Sequence, residues 1–386
     1  MRKNKKIVCF VALLCLLCVA FPTAARRQER NDCSWNRISK YFTPLPEYAG
    51  QYGEYASVLV FNNGKPVRTK AQWRRRRKEI KQEWMDRMGH WPALIKHQDF
   101  EVLKEEHRDN FRQYTVRFQW LPDQTTTGDL LGPDAPGRKP AVITVSYEPE
   151  TAVGLGKKPN RDFALQLAKR GFVTLSIGTT ETTDAKTYSL YYPSIEHAAI
   201  QPLSALACAA SNALEVLARH KEVDPKRIGI VGHSYGGKWA MFSSCLNDKF
   251  ACAVWCDPGI VFDETKGGYI NYWEPWYLGY YPTPWKNTWA KNGSLNPDGV
   301  YRQLRQEGHD LHELHALMAP RPFLVSGGFS DTPDRWIPLN RTVEVNRLLG
   351  YEHRIGMTNR PRHAPNSESN AVIYDFFEHF LGPVNR

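Results

Sequence analysis

Apolar residues run without alternation at 141–147, 171–178, 227–233, 252–257, 322–327 and 353–359. Strands covered on both faces read this way, because neither face needs polar side chains. Helically spaced stretches stand between several of them, at 162–170, 197–220, 235–245 and 336–349, and 376–381 closes the chain helically. Buried strands alternating with helices predict βαβ units and a mostly parallel sheet with helices on both faces. Upstream, Trp73, Ile80, Trp84 and Met88 recur at helical spacing and predict an amphipathic helix over 70–88. Its run Arg74-Arg75-Arg76-Arg77-Lys78 reads as a solvated face rather than a binding patch. The segment 100–120 alternates as strands do and predicts a hairpin at one sheet edge. Residues 26–65, rich in turn formers and aromatics, predict an N-terminal extension wrapped on the main body, and 66–386 one α/β domain. The rhythm breaks at 267–289, which is too aromatic and too rich in Pro and Gly for a crossover helix. It predicts an insertion, spanning 262–300, over the carboxyl edge of the sheet.

Residues 1–25 are set apart by a different pattern. Arg2, Lys3, Lys5 and Lys6 precede a 15-residue apolar run over 7–21, and Thr23-Ala24-Ala25 follows with small residues suited to cleavage. The run is short for a membrane span, which needs about 18 or more apolar residues, so it predicts an export signal and a periplasmic or secreted protein. No small residue directly precedes Cys15 or Cys18, which disfavours a lipoprotein anchor, and no later segment is apolar enough to span a membrane. The formal charge is +11, and a positive excess survives the loss of those four cations. Such a balance attracts polyanions. In an exported protein the polyanion expected is an acidic polysaccharide, not nucleic acid. Beyond the signal, Cys33, Cys208, Cys245, Cys252 and Cys256 form no metal-ligand pairs and are odd in number. At most one or two disulfides are expected.

Gly232-His233-Ser234-Tyr235-Gly236 matches Gly-x-Ser-x-Gly, between an apolar strand and a helical stretch. In that context it is a nucleophile elbow: the chain turns sharply and lifts the Ser234 hydroxyl to the sheet edge, where a side chain at either glycine would clash. A serine hydroxyl needs a histidine base, itself oriented by a carboxylate, and in this architecture acid and base follow the serine in that order. His363 follows the last strand and is the expected base. Asp331, after the strand over 323–327, is the preferred acid; Asp257, directly after the preceding strand, is its rival, read otherwise as a turn-forming Asp before Pro258, and Asp334 is a lesser one. The backbone N–H of Tyr235 is one expected oxyanion donor, with a second somewhere in 148–153. His233 is expected to pack under the elbow. His309, His312 and His315 recur every three residues, a spacing that drifts around a helix, and no carboxylate completes a ligand pattern. Core hydrogen bonds or capping are the expected use, so neither a metal site nor a cofactor is expected. Trp273, Trp276, Trp285 and Trp289 offer either a platform for sugar rings or a hydrophobic cluster under the loop.

These features resemble the serine carbohydrate esterases of the α/β-hydrolase superfamily. The carrying residues are Gly232 to Gly237, the block Asp257-Pro258-Gly259-Ile260-Val261-Phe262-Asp263-Glu264, Asn271-Tyr272-Trp273-Glu274-Pro275-Trp276-Tyr277-Leu278-Gly279, Ala319-Pro320-Arg321-Pro322 and His363-Ala364-Pro365. Over about residues 65–386 the chain looks most similar to the bacterial pectin methylesterases of gut commensals, the nineteenth carbohydrate esterase family. Glucuronoyl and acetyl xylan esterases resemble it more distantly. The resemblance implies an α/β-hydrolase fold and, as substrate, methyl-esterified galacturonic acid in pectin, with a glucuronoyl or acetyl xylan ester as the alternative. Pectic or other acidic oligosaccharides are the implied partners, with Trp273, Trp276, Lys238 and Arg362 in the substrate-binding set. Lys238, Arg335, Arg360 and Arg362 lie near the elbow, acid and base in sequence and would give an acidic polymer a positive rim, though the default for each is an ordinary surface charge.

Overall fold

A computed structural model of the chain describes residues 33–180, 189–263, 265, 278 and 299–382. The expected export signal and the tryptophans Trp273, Trp276, Trp285 and Trp289 lie outside the described residues.

Nine strands form one sheet: β1 (Glu101–Arg108), β2 (Phe111–Leu121), β3 (Gln124–Pro133), β4 (Lys139–Ser146), β5 (Val173–Gly178), β6 (Val223–His233), β7 (Cys252–Cys256), β8 (Phe323–Gly327) and β9 (Ile355–Asn359). Their spatial order is β1-β2-β3-β5-β4-β6-β7-β8-β9. The pairs β1/β2, β2/β3 and β3/β5 are antiparallel, and every pair from β5/β4 to β8/β9 is parallel. The six parallel strands are the six unbroken apolar runs. The edge hairpin is longer than the alternation suggests, because β3 joins it as a third antiparallel strand. Its outer half, Gln124 to Thr127, is polar and alternately exposed, so its composition hides it from a search for apolar runs.

Alternation within the strands divides the core in two, since successive side chains point to opposite faces. Ile143 and Val145 face a large cluster that also takes Trp73, Ile80 and Trp84 of α1 (Lys70–Met88), Leu206 and Ala210 of α3 (Pro202–Arg219), and Leu339 of α5 (Trp336–Leu349). Val142, Val231, Val254 and Leu324 face the other cluster, with Phe163 and Leu167 of α2 (Phe163–Lys169) and Ile373 and Phe377 of α6 (Ser367–Phe380). Helices thus cover both faces. The helix α6 starts nine residues before the apolar stretch suggests, because Asn366 and Ser369 form a reciprocal capping box that fixes the first turn. Upstream of α1, Ile38 and Phe42 insert into the second cluster, whereas Val58 and Phe61 insert into the first.

Between β6 and β7 runs α4 (Tyr235–Leu246), in which every residue is buried. A helix buried all round cannot leave its last carbonyls to water, and Arg321 reaches one of them together with carbonyls of the chain just beyond the helix end. Its Nη1 donates to the carbonyls of Ser244 at 2.8 Å, Asn247 at 3.2 Å and Phe250 at 3.0 Å, while Nη2 donates to Leu317 at 3.0 Å. A cation at a helix C-terminus also opposes the helix dipole favourably. Arg321→Ala is therefore expected to lower stability by about 3 kcal/mol, since several acceptors lose a charged donor together. Chemical denaturation checks this: a midpoint unchanged from the parent chain would show that water replaces the guanidinium at no cost.

All five cysteines of the described residues are free, and Cys208, Cys245, Cys252 and Cys256 are buried. These four fill the core as small apolar side chains. Among the described residues no group of His, Cys, Asp and Glu is arranged to hold a metal ion. His309 pairs with Glu313 at 2.9 Å, His312 Nε2 meets the carbonyl of Ala56 at 3.0 Å, and His315 packs between Trp255 and Phe323. The three histidines serve three separate core contacts. No helix among the described residues is long and apolar enough to cross a membrane.

Candidate active site

The strand β6 ends at His233 and α4 begins at Tyr235, so Ser234 alone makes the turn. It does so at φ 59° and ψ −115°, a conformation that L-residues rarely adopt. The flanking glycines are required sterically. A Cβ on Gly232 would stand 2.2 Å from the carbonyl oxygen of Gly236, and one on Gly236 would stand 2.0 Å from that of Val145. The Ser234 N–H donates to the carbonyl of Cys256 at 2.8 Å, tying the elbow to the end of β7.

At the turn, Ser234 Oγ lies 2.8 Å from His363 Nε2, and His363 Nδ1 lies 2.6 Å from Asp257 Oδ2. A hydroxyl, an imidazole and a carboxylate in that series let the imidazole accept the hydroxyl proton while the carboxylate steadies the cation that results. The acid facing the base is Asp257, which corrects the preference for Asp331. Asp257 leaves β7, the strand next to β6, whereas Asp331 leaves β8, one strand further out.

What Asp331 does instead explains both loops. Its carboxylate accepts from the N–H groups of Gly259 at 2.9 Å and Ile260 at 2.6 Å, in the loop that carries Asp257. Conversely, Asp257 Oδ1 accepts from the N–H groups of Gly328 at 2.8 Å, Ser330 at 3.1 Å and Asp331 at 2.9 Å, in the loop that carries Asp331. Each loop holds the other's carboxylate with its own peptide groups. The approach is close enough that a Cβ on Gly328 would stand 2.8 Å from Asp257 Oδ2 and 2.5 Å from the carbonyl of Arg362.

These surroundings drive the two acids apart. Burial works against ionising Asp257, but the hydrogen bond and charge of His363, with the Asp331 N–H and Arg360, hold its carboxyl below the ordinary range. Burial, joined by repulsion from Asp257, pushes Asp331 up to about 6. Separated acidities of this kind fit a split of tasks between neighbouring carboxyls.

His363 is held from behind. Arg360 donates to the carbonyls of Ser326, Gly327, Ala364 and His363 at 2.7–3.0 Å, which fixes the bend after β9. The His233 ring, 4.7 Å from that of His363, reaches the His363 carbonyl through Nε2 at 2.9 Å. Of the cations read as a positive rim, Lys238, Arg335 and Arg360 are buried, and Arg362 is exposed. Lys238 is therefore corrected from a substrate contact to an internal one. It sits on the all-buried α4, its Nζ donates to the carbonyl of Pro258, and burial lowers its pKa to about 7. Arg335 pairs with Asp263 and Asp334. The Tyr235 ring is buried too, stacked on Tyr147 at 4.3 Å with its hydroxyl 3.0 Å from Thr179 Oγ1, while its N–H belongs to the first residue of α4.

A cavity opens beside Ser234, walled by the end of β4 and the turn after it (144–148), by Thr151 and Ala152, and by Lys158, Arg161, Phe163 and His233. Its wall includes Glu148, Thr151 and Ala152 of the stretch expected to carry the second oxyanion donor. Nothing in the sequence singles out Lys158 and Arg161, since neither lies in a motif and Arg161 simply precedes a helix.

Comparison with known proteins agrees with this architecture. The model of the prolyl oligopeptidase family matches residues 210–332, and that of the dienelactone hydrolase family matches residues 127–260. No curated protein matches. Among solved structures, a glucuronoyl esterase from Solibacter usitatus superposes with a TM-score of 0.64 at 18% identity, over 84% of this chain and 97% of that one. A glucuronoyl esterase of carbohydrate esterase family 15 from Caldicellulosiruptor kristjansonii gives 0.60 at 21% identity, over 86% and 91%. A methylesterase gives 0.54 at 18% identity, over 82% and 66%. The fold is the α/β-hydrolase fold.

Proposed function

We propose that the chain is a serine esterase of plant polysaccharide whose acyl group is a sugar acid, with a glucuronoyl ester as its substrate. One observation carries the chemistry: the continuous series from Ser234 Oγ through both nitrogens of His363 to Asp257, at 2.8 and 2.6 Å. His363 Nε2 takes the proton from Ser234 as the oxygen attacks the ester carbonyl, and the Tyr235 N–H at the head of α4 faces the oxyanion that forms. Collapse of that intermediate expels the alcohol, which leaves with the proton from His363. Water then repeats the sequence on the acyl-enzyme and releases the free acid. Throughout, Asp257 keeps Nδ1 protonated, so that Nε2 accepts each proton and gives it back.

The choice of ester draws on the glucuronoyl esterases among the structural neighbours, which cover nearly their whole length with this chain. It displaces the pectin methyl ester that the motifs imply. A second reading keeps that substrate, methyl-esterified galacturonate, because a methylesterase shares the fold. Both esters deliver a uronyl group to Ser234 and differ in the configuration of the sugar at C4 and in the alcohol released. The test compares benzyl glucuronate, methyl-esterified oligogalacturonide and acetylated xylan, by release of benzyl alcohol, methanol and acetate. The first is expected to give kcat/KM about tenfold or more above the others, the scale on which pocket contacts discriminate. Methanol release dominating would return the pectin reading, and acetate release dominating would make the chain a deacetylase.

A further inference from the structure

The cavity beside Ser234 contains one cation that nothing neutralises among the described residues. Of the two on its wall, Lys158 stands 3.6 Å from Glu148 Oε2. Arg161 makes neither an ion pair nor a hydrogen bond among the described residues, although it is half-buried on the wall it shares with His233 and Phe163. A guanidinium presents five donors in a rigid plane, and those of Arg161 find no acceptor among the described residues. Burial accordingly depresses its basicity, against the opposing pull of Cys256, Glu148 and Tyr147. Its charge also follows burial among the causes that hold His233 neutral, with a pKa of about 3. The free cation therefore lies near the imidazole that touches the His363 backbone, on the wall of the space where acyl transfer would occur.

An anion would complete this arrangement, and a carboxylate fits the fork of an arginine in a bidentate fashion. We propose that Arg161 is the carboxylate receptor of the cavity, binding the free sugar acid that ester cleavage leaves and making that acid a product inhibitor. The inference rests on the reading of Ser234 as a uronate esterase nucleophile. In the second half of that reaction, water adds to the uronyl carbon and the bond to Ser234 Oγ breaks. His363 returns a proton to Oγ, and the acid formed loses its own proton to solvent. The carboxylate is created within the cavity, whereas the ester that preceded it is neutral and offers the guanidinium no counter-charge. Arg161 thus separates product from substrate by charge alone.

The test is calorimetric titration of the full chain carrying Ser234→Ala with glucuronate, its neutral methyl ester and glucose. Glucuronate is expected to bind about tenfold or more tighter than the ester, as a charge-assisted pair allows, with the preference shrinking as salt is raised. Adding Arg161→Gln, or Arg161→Met, should abolish the preference while circular dichroism and melting stay those of the parent. Lys158→Gln should leave it in place, because Lys158 already has an acidic partner. Equal affinities for acid and ester in the Ser234→Ala chain would overturn the proposal, as would a preference that survives in a folded Arg161 variant or disappears only with Lys158. Turnover is read separately: an unmutated chain that cleaves neither 4-nitrophenyl acetate nor any uronate ester defeats the esterase reading, and the titration still decides whether Arg161 receives a carboxylate.

Discussion

Ser234→Ala is expected to lower kcat on any accepted ester by about 10⁶-fold while leaving the melting temperature nearly unchanged, as for removal of the nucleophile in other serine hydrolases. The size follows from the part the hydroxyl plays. Without Oγ there is no acyl-enzyme, and water must attack unassisted by the oriented imidazole. The fold should persist because alanine meets the same backbone demand at φ 59° that serine already meets, and because the elbow's close approaches concern Gly232 and Gly236. Steady-state rates and the mass of fluorophosphonate-treated protein provide the measurement. The parent chain should carry one adduct, on Ser234, and the variant none. A variant keeping more than about a hundredth of the rate would place the nucleophile elsewhere.

Asp257→Asn should cost about 10⁴-fold in kcat, by analogy with the same change in other triads, and the geometry gives the reason. Three peptide N–H groups converge on Oδ1, so the amide oxygen of asparagine must occupy that position. Its NH₂ group then takes the place of Oδ2 and points a donor at His363 Nδ1. The imidazole can answer only by presenting a lone pair at Nδ1, which moves its proton to Nε2, where it can no longer accept the proton of Ser234. Asp331→Asn should fall within about tenfold of the parent, because it acts on the Asp257 loop through Gly259 and Ile260 and leaves the Asp331 peptide N–H in place. Kinetics of the two variants side by side decide the matter. A dead Asp331 variant beside an active Asp257 variant would mean that the acid shifts during turnover.

The parts of this fold legible in the sequence are those where burial leaves a single reading. Each parallel strand is sealed on both faces, so its apolar run shows directly, and α1 is readable from four apolar residues at helical spacing. Strand β3 escapes because Thr125, Thr126 and Thr127 face solvent in part and Gly128 follows. At the site, Ser234 and His363 can be found because a motif names one and the position after the last strand suggests the other. The acid cannot be settled that way. Two aspartates follow two adjacent strands, and their roles depend on which carboxylate turns toward the imidazole, a matter of loop conformation that includes φ 50° at Asp257. Lys238 misleads for a related reason: a lysine one turn into a helix reads as solvent-facing unless that helix is enclosed on all sides. Arg161 leaves no local signature, since what sets it apart is the lack of a partner among the described residues.

The way Asp257 is held has an evolutionary side. The donors to its Oδ1 are main-chain groups of Gly328, Ser330 and Asp331, which every amino acid but proline supplies equally. The side chains of Phe329 and Ser330 are thereby released from any duty toward the acid, and this stretch can diversify to suit new substrates while the charge beneath it stays put. Gly328, crowded by the carboxylate itself, Asp331, whose own carboxylate holds the Asp257 loop, and a ban on proline at the donor positions constrain that freedom.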